Sequence, residues 1–148
     1  MKETERGVDM KETERQAQRA VVQYVRLKYP SVLIWAIPNG GSRNKIEASN
    51  LKKDGVLAGV PDLFVAMPSK DCGGHTVRQG SPVTCACDYF FGLFIEMKSE
   101  HGKLSEAQID VANKLSEAGY KCEACYSSEE AINVIDDYLR WTARHAGI

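Results

Sequence analysis

Gly59-Val60-Pro61-Asp62-Leu63-Phe64-Val65 is the stretch around which the rest of the chain can be ordered, and Glu96-Met97-Lys98, 34 residues beyond its Asp, is its counterpart. Pro61 fixes its own φ and pushes Val60 toward extended backbone, so the turn enters the following apolar run in a set direction. Asp62 stands at the start of that run; Glu96 and Lys98 stand at the end of another. Side chains alternate along a strand, which puts Phe94, Glu96 and Lys98 on one face and Ile95 and Met97 on the other. Each feature alone has a plain reading: Asp62 as a turn-capping carboxylate, and Glu96 with Lys98 as an ion pair on a solvated edge strand. Together, two carboxylates and a lysine at strand ends can hold a divalent cation and orient a water against a phosphodiester.

A chain of 148 residues, 43% hydrophobic and 26% charged, is one domain with room for a core. The net charge of −1 provides no global basic field, so any contact with nucleic acid has to come from a local patch of Lys and Arg. The longest apolar runs, Val32–Pro38 and Tyr89–Ile95, are far short of a membrane span. The N-terminal MKETERGVD has no apolar stretch of a signal peptide, so export is not expected. In a chain that is not exported, the five cysteines are expected to be thiols or metal ligands rather than a disulfide framework. MKETER occurs at residues 1–6 and again at 10–15; with Gly7 and the polar run it makes residues 1–10 a flexible tail ahead of a domain over 11–146.

Periodicity orders the rest. Residues 11–29 are expected as an amphipathic helix with Ala17, Val21, Tyr24, Val25 and Lys28 on one face, stopped by Pro30. Strands are expected at Val32–Ile37, Asp62–Met67, Tyr89–Lys98 and Tyr120–Tyr126. Helices are expected at Lys45–Lys53, closed by Gly55, at Leu104–Ala118 and at Glu129–Arg144. A polar insert, Pro68–Asp88, separates the second and third strands. The sum is an α/β domain with a central mixed sheet flanked by helices.

The first helix offers a third acid. At about 100° per residue, Gln18, Val21 and Val25 fall within about 40° of Glu14, while Glu12 lies nearly opposite with Gln16, Arg19, Gln23 and Arg26 on the solvent side. A carboxylate on the buried stripe needs a partner, which a metal can be; an acid in a first helical turn also simply favours the helix dipole. Glu12 is the alternative acid. Ser105-Glu106-Ala107-Gln108 is a capping box, and so is Ser127 with Glu130. The glycine-rich, basic stretch Pro38-Asn39-Gly40-Gly41-Ser42-Arg43-Asn44-Lys45, with Lys52 and Lys53, can grip a DNA backbone, or be an ordinary solvated loop.

Taken as a set, these segments resemble the PD-(D/E)XK (restriction-endonuclease-like) core. With the acid in the first helix and Pro-Asn-Gly-Gly leading to Gly-Val-Pro-Asp, the chain is similar to the VRR-NUC domain over about residues 12–140. The resemblance implies an endonuclease dependent on Mg²⁺ or Mn²⁺, acting on branched DNA such as Holliday junctions as a homodimer, in the cytoplasm of a bacterial or phage-infected cell. Asp62, Glu96, Glu14 and the carbonyl of Met97 would be the metal ligands, Lys98 the cation beside the water or the transition state, and Gln108 a further contact. Asn39, Gly40, Gly41, Arg43, Lys45, Lys52 and Lys53 would meet DNA. Tyr138, Leu139 and Trp141 are candidates for a dimer contact, as they are for the core.

The insert departs from the family pattern. It carries Cys72, His75, Cys85 and Cys87, a set that can make a structural zinc site. Cys122 and Cys125 are spaced to face opposite sides of a strand and read as packing residues. Two rival readings stand beside the nuclease: a binding module of the same fold without catalysis, and an adaptor stabilised by zinc in the insert.

Overall fold

The computed structural model describes residues 12–38, 45–71 and 88–146. The elements in chain order are α1 (Glu14–Lys28), β1 (Ile34–Ala36), α2 (Lys45–Lys53), β2 (Leu63–Val65), β3 (Ser69–Asp71), β4 (Asp88–Phe90), β5 (Leu93–Met97), α3 (Glu106–Glu117), β6 (Lys121–Cys125) and α4 (Ser128–Ala146). The main sheet has the order β1-β2-β5-β6. Its first two pairings are antiparallel and β5–β6 is parallel, so the sheet is mixed, as the sequence implied.

The core lies on one face of this sheet. Ile34, Leu63, Val65, Leu93, Ile95, Met97 and Cys125 meet Ala17, Val21 and Val25 of α1 and Ala131, Ile135 and Leu139 of α4. The alternation along β5 comes out as expected: Ile95 and Met97 are sealed in that core. Phe94 faces the other way and packs on Phe64, with ring centroids 4.4 Å apart. Trp35 and Tyr120 extend the aromatic row across the sheet on that second face. α3, the crossover between the parallel strands β5 and β6, lies on the second face too, since its Gln108 reaches Glu96.

Several features differ from the sequence reading. α1 begins at Glu14 rather than at 11, because Thr13 is its N-cap in a full capping box with Gln16. The expected strand over 89–98 is two strands. Gly92, between them, sits so close to the Phe64 ring that a Cβ there would lie 2.6 Å from it, and the chain changes sheets at that point. The ends of the expected insert are also ordered: β3 pairs antiparallel with β4, Ser69 opposite Phe90 and Asp71 opposite Asp88. Polar side chains hide this small sheet from a periodicity argument, but α4 holds it. Tyr138 donates its hydroxyl to Met67 O (2.7 Å), Thr142 to Pro68 O (2.8 Å), and the Ser69 hydroxyl donates to Tyr138 O. Finally, Tyr138 and Leu139 are buried in the core, so neither is available as a dimer contact. The insert between β3 and β4, with all four of its Cys and His residues, lies outside the described residues.

Candidate active site

The site forms where β2 stops and β5 continues. The β2–β5 ladder ends with Leu63 opposite Ile95. Two residues further back along the β2 chain, where Met97 would find its partner, is Pro61, which has no N–H and turns away. The β5 amides on that edge are therefore left without a strand partner, and backbone donors so exposed need an acceptor. Asp62 supplies one: its Oδ2 accepts Met97 N–H at 2.9 Å. Glu14 supplies the next: its Oε1 accepts Ser99 N–H at 2.8 Å. The amide between them, Lys98 N–H, turns to the opposite edge and Cys125 O, 2.9 Å away. Two carboxylates from distant elements are thus pinned by alternate amides of one strand. N–H and C=O of one residue leave a strand on the same edge, so the Met97 carbonyl faces the Asp62 side as well.

Glu96 is buried, 6% exposed, on the second face of the sheet. Its Oε1 accepts Lys98 Nζ at 2.7 Å, as the two-residue spacing required, and also the Gln108 side-chain amide. Gln108 does two things at once. Its Oε1 accepts Ser105 N–H at 2.9 Å and closes the capping box of α3, while its Nε2 holds Glu96. What brings α3 to this position is the turn before Asp62. Gly59 has φ +89°, and its backbone lies flat against the start of α3, where a Cβ would meet the Ala107 carbonyl.

The electrostatics follow from crowding. Burial raises the pKa of Asp62, and Glu14 adds to this; the Met97 amide and Lys98 pull the other way without cancelling it. Burial likewise raises Glu96, reinforced by Asp62 and Glu14 and opposed by Lys98. For Lys98, burial acts to lower the pKa, but Glu96, Glu14 and Asp62 outweigh it and hold the ammonium firmly charged. One cation faces three carboxylates, a deficit of two positive charges. That donor set, all hard oxygen, fits a divalent Mg²⁺ or Mn²⁺. The fit is one of charge and chemistry rather than a ready-made cage: among the described residues no three His, Cys, Asp or Glu side chains are already gathered as an ion-holding group.

Of the residues singled out from sequence, Glu14, Asp62, Glu96, Met97, Lys98 and Gln108 come together here. Glu12 does not; its Oε2 accepts Ser128 N–H at 3.0 Å and anchors the start of α1 to the start of α4. That role, and the Thr13 cap, were missed, although Thr13-X-X-Gln16 is a readable capping signal. Lys52 and Lys53 are exposed in the last turn of α2, with no hydrogen bond or ion pair to the carboxylates among the described residues. Lys45 opens α2, but its side chain, like Asn39, Gly40, Gly41 and Arg43, lies outside the described residues. Cys122 and Cys125 are free thiols. Burial raises both, Cys125 to about 12, so neither is a reactive thiolate.

A mixed sheet flanked by helices, with clustered carboxylates and a lysine at the end of a central strand, is the layout of a nuclease-type α/β domain. The family model described as the VRR-NUC domain matches residues 12–129, and the chain belongs to that family. Among solved structures, a chain described as "VRR_NUC domain protein" shares the fold with a TM-score of 0.63 at 22% identity, over 87% of this chain and 89% of that one. No curated protein matches this sequence. Among the described residues, no helix is long and apolar enough to cross a membrane.

Proposed function

We propose that this chain is a metal-dependent endonuclease that hydrolyses DNA phosphodiester bonds through a core of the PD-(D/E)XK type. The observation that carries this reading is the meeting of Glu14, Asp62, Glu96 and Lys98 at the C-terminal end of β5. Glu14, Asp62, Glu96 and the Met97 carbonyl would hold Mg²⁺ or Mn²⁺. Such an ion, when bound, lowers the pKa of a water and neutralises charge on the scissile phosphate. The protein's own part is positioning. Backbone amides fix Asp62 and Glu14, so neither carboxylate has to be ordered when substrate arrives. Gln108 and Lys98 hold Glu96 in one rotamer. The Lys98 ammonium, kept charged by its neighbours, is placed to donate to the attacking water or to a phosphate oxygen as negative charge builds.

Branched DNA, such as a Holliday junction, is the proposed substrate class, and a homodimer the proposed assembly. Both come with the family resemblance, and a two-fold pair of sites would cut opposed strands. With Tyr138 and Leu139 in the core, neither would meet the partner; the side chain of Trp141, the third candidate, lies outside the described residues. Cleavage of labelled junction, flap, duplex and single-stranded DNA with Mg²⁺, Mn²⁺ or EDTA tests the reading in wild type and Lys98→Ala. Metal-dependent cutting that is lost in Lys98→Ala is expected. DNA binding without cutting under either metal would sink the enzyme and leave a non-catalytic member of the family.

A further inference from the structure

α1 carries a feature that the carboxylate site does not use. Between Arg15 and Lys28 the helix contains no acidic residue. Arg15, Arg19 and Arg26 fall within about 40° of one another around its axis. A groove of about 460 Å³ runs along this flank of α1, between the helix and the edge strand β1. Arg19, Gln23 and Arg26 line it, with Val22, Leu27 and Ala36 as its apolar share. Neither arginine has an acidic partner among the described residues, whereas Lys28, Lys98, Lys114 and Arg140 are all paired. Among the described residues, ion pairing thus accounts for those four cations and leaves Arg19 and Arg26 open.

One end of the groove lies near the active site. Its near end is formed by Gln18, one helical turn from Glu14, and by Ala36. The residue after Ala36, Ile37, donates its N–H to Asp62 O at 2.7 Å. From there the arginines lead away along the helix. Arg19 and Arg26 are about 10 Å apart along the axis, close to the rise of about three nucleotides in a duplex strand. Guanidinium groups spaced over an apolar floor suit phosphates at the rim and sugar edges below. In a chain of net charge −1, two unpaired cations on one flank of α1 are a local device rather than a general field.

We infer that this groove is a nucleic-acid site, in which Arg19 and Arg26 hold the backbone phosphates of the DNA strand leading into the carboxylate cluster. The inference rests on the nuclease reading for its direction but is testable apart from it. The measurement is fluorescence anisotropy of a labelled four-way junction and a labelled duplex in EDTA, across a salt series, for wild type, Arg19→Gln/Arg26→Gln and Arg140→Gln. Both groove arginines are exposed, and unchanged thermal unfolding will confirm that the double variant folds.

Two lost phosphate contacts reduce the log–log salt slope on duplex by about 1.8, and weaken binding about 60-fold at 0.1 M salt. Arg140→Gln, a charge loss elsewhere on the surface, leaves affinity and slope unchanged. In cleavage assays the double variant raises KM and leaves kcat at saturating DNA near wild type. Cutting by wild type with Kd, slope and KM unchanged in the double variant would overturn the groove while the nuclease reading stands. Loss of binding in the double variant, from a wild type that never cuts, would keep the groove and remove the nuclease. A change of oligomeric state in place of DNA affinity would assign the groove to contact between copies, and overturn the inference.

Discussion

Gly59→Ala will damage both stability and the site, by an amount that Gly55→Ala separates into its parts. Both glycines have positive φ, +89° and +93°, so an Ala at either bears the left-handed backbone cost of about 1–2 kcal/mol. Gly55 has open space where a Cβ would go. Gly59 does not: its Cβ would overlap the Ala107 carbonyl oxygen, lie 2.6 Å from the Ala107 carbonyl carbon and 3.0 Å from Gln108 N. These are backbone atoms at the start of a capped helix, and relieving the overlap means moving α3 back by about 1 Å, an overpacking cost of about 1–3 kcal/mol. The total is about 3 kcal/mol for Gly59→Ala against about 1 kcal/mol for Gly55→Ala. In a domain of this size that is a fall in Tm of about 6–12 °C against about 2–4 °C. The displacement also draws Gln108 away from Glu96, so metal-dependent cleavage by the folded Gly59→Ala protein should drop while Gly55→Ala cuts normally. Calorimetry of both proteins, followed by cleavage well below either Tm, makes the comparison. Equal Tm losses would show that the turn is not pressed against α3, and would refute the account of how Gln108 is placed.

Asp62→Asn is expected to raise Tm of the protein in EDTA at neutral pH while abolishing cleavage. The folded pKa of Asp62 is raised above its unfolded value, chiefly by burial, so the stability linked to its proton is fully present below the unfolded pKa and lost as pH rises through the folded one. The gain over wild type should vanish at acid pH, and a lower Tm for Asp62→Asn at pH 7 would contradict it. Asp136 runs the opposite way. Burial works to raise its pKa, but hydrogen bonds from Lys28, Tyr24 and Tyr29 prevail and lower it, so its contribution is present above the unfolded pKa and lost as pH falls through the folded one. Asp136→Ala removes the acceptor that ties α1 to α4 through Tyr24 (2.7 Å) and Tyr29 (3.0 Å), and should cost about 2 kcal/mol by denaturant unfolding at pH 7. A loss below a few tenths of that would show the network to be incidental. Glu12→Ala frees the first turn of α1, and should raise the Mn²⁺ concentration for half-saturation about tenfold by titration calorimetry. Glu12→Gln, which keeps an acceptor for Ser128 N–H, should bind Mn²⁺ as wild type does; equal weakening in both would separate Glu12 from the placement of Glu14.

Local rules took the sequence reading a long way. The Pro61 turn, the two-residue spacing of Glu96 and Lys98, and the capping box of Ser105 and Gln108 each depend on a few neighbouring residues. Each appears in the structure with the partners those rules require. The apolar periods of α1 and β5 sorted their faces for the same reason. What the sequence could not decide were pairings between residues far apart in the chain. Whether Glu12 or Glu14 turned to the site depended on which orphan amides the start of α1 would meet. The answer, Ser99 for Glu14 and Ser128 for Glu12, lies 85 and 116 residues away. The split of the expected third strand was hidden in the same way, because the Phe64 ring that crowds Gly92 belongs to another strand. So was the groove beside α1, whose wall is the edge strand β1 and whose arginines had looked like ordinary solvent-side charges. Sequence by itself determined the family, the sheet's main strands and the residues that meet at the candidate site, because motif spacing and side-chain periodicity are short-range. Only the tertiary structure decided which carboxylate reaches the end of β5, what holds it, and how the cations near it are paired, because backbone amides and ion pairs are allotted among partners that only the folded chain brings together.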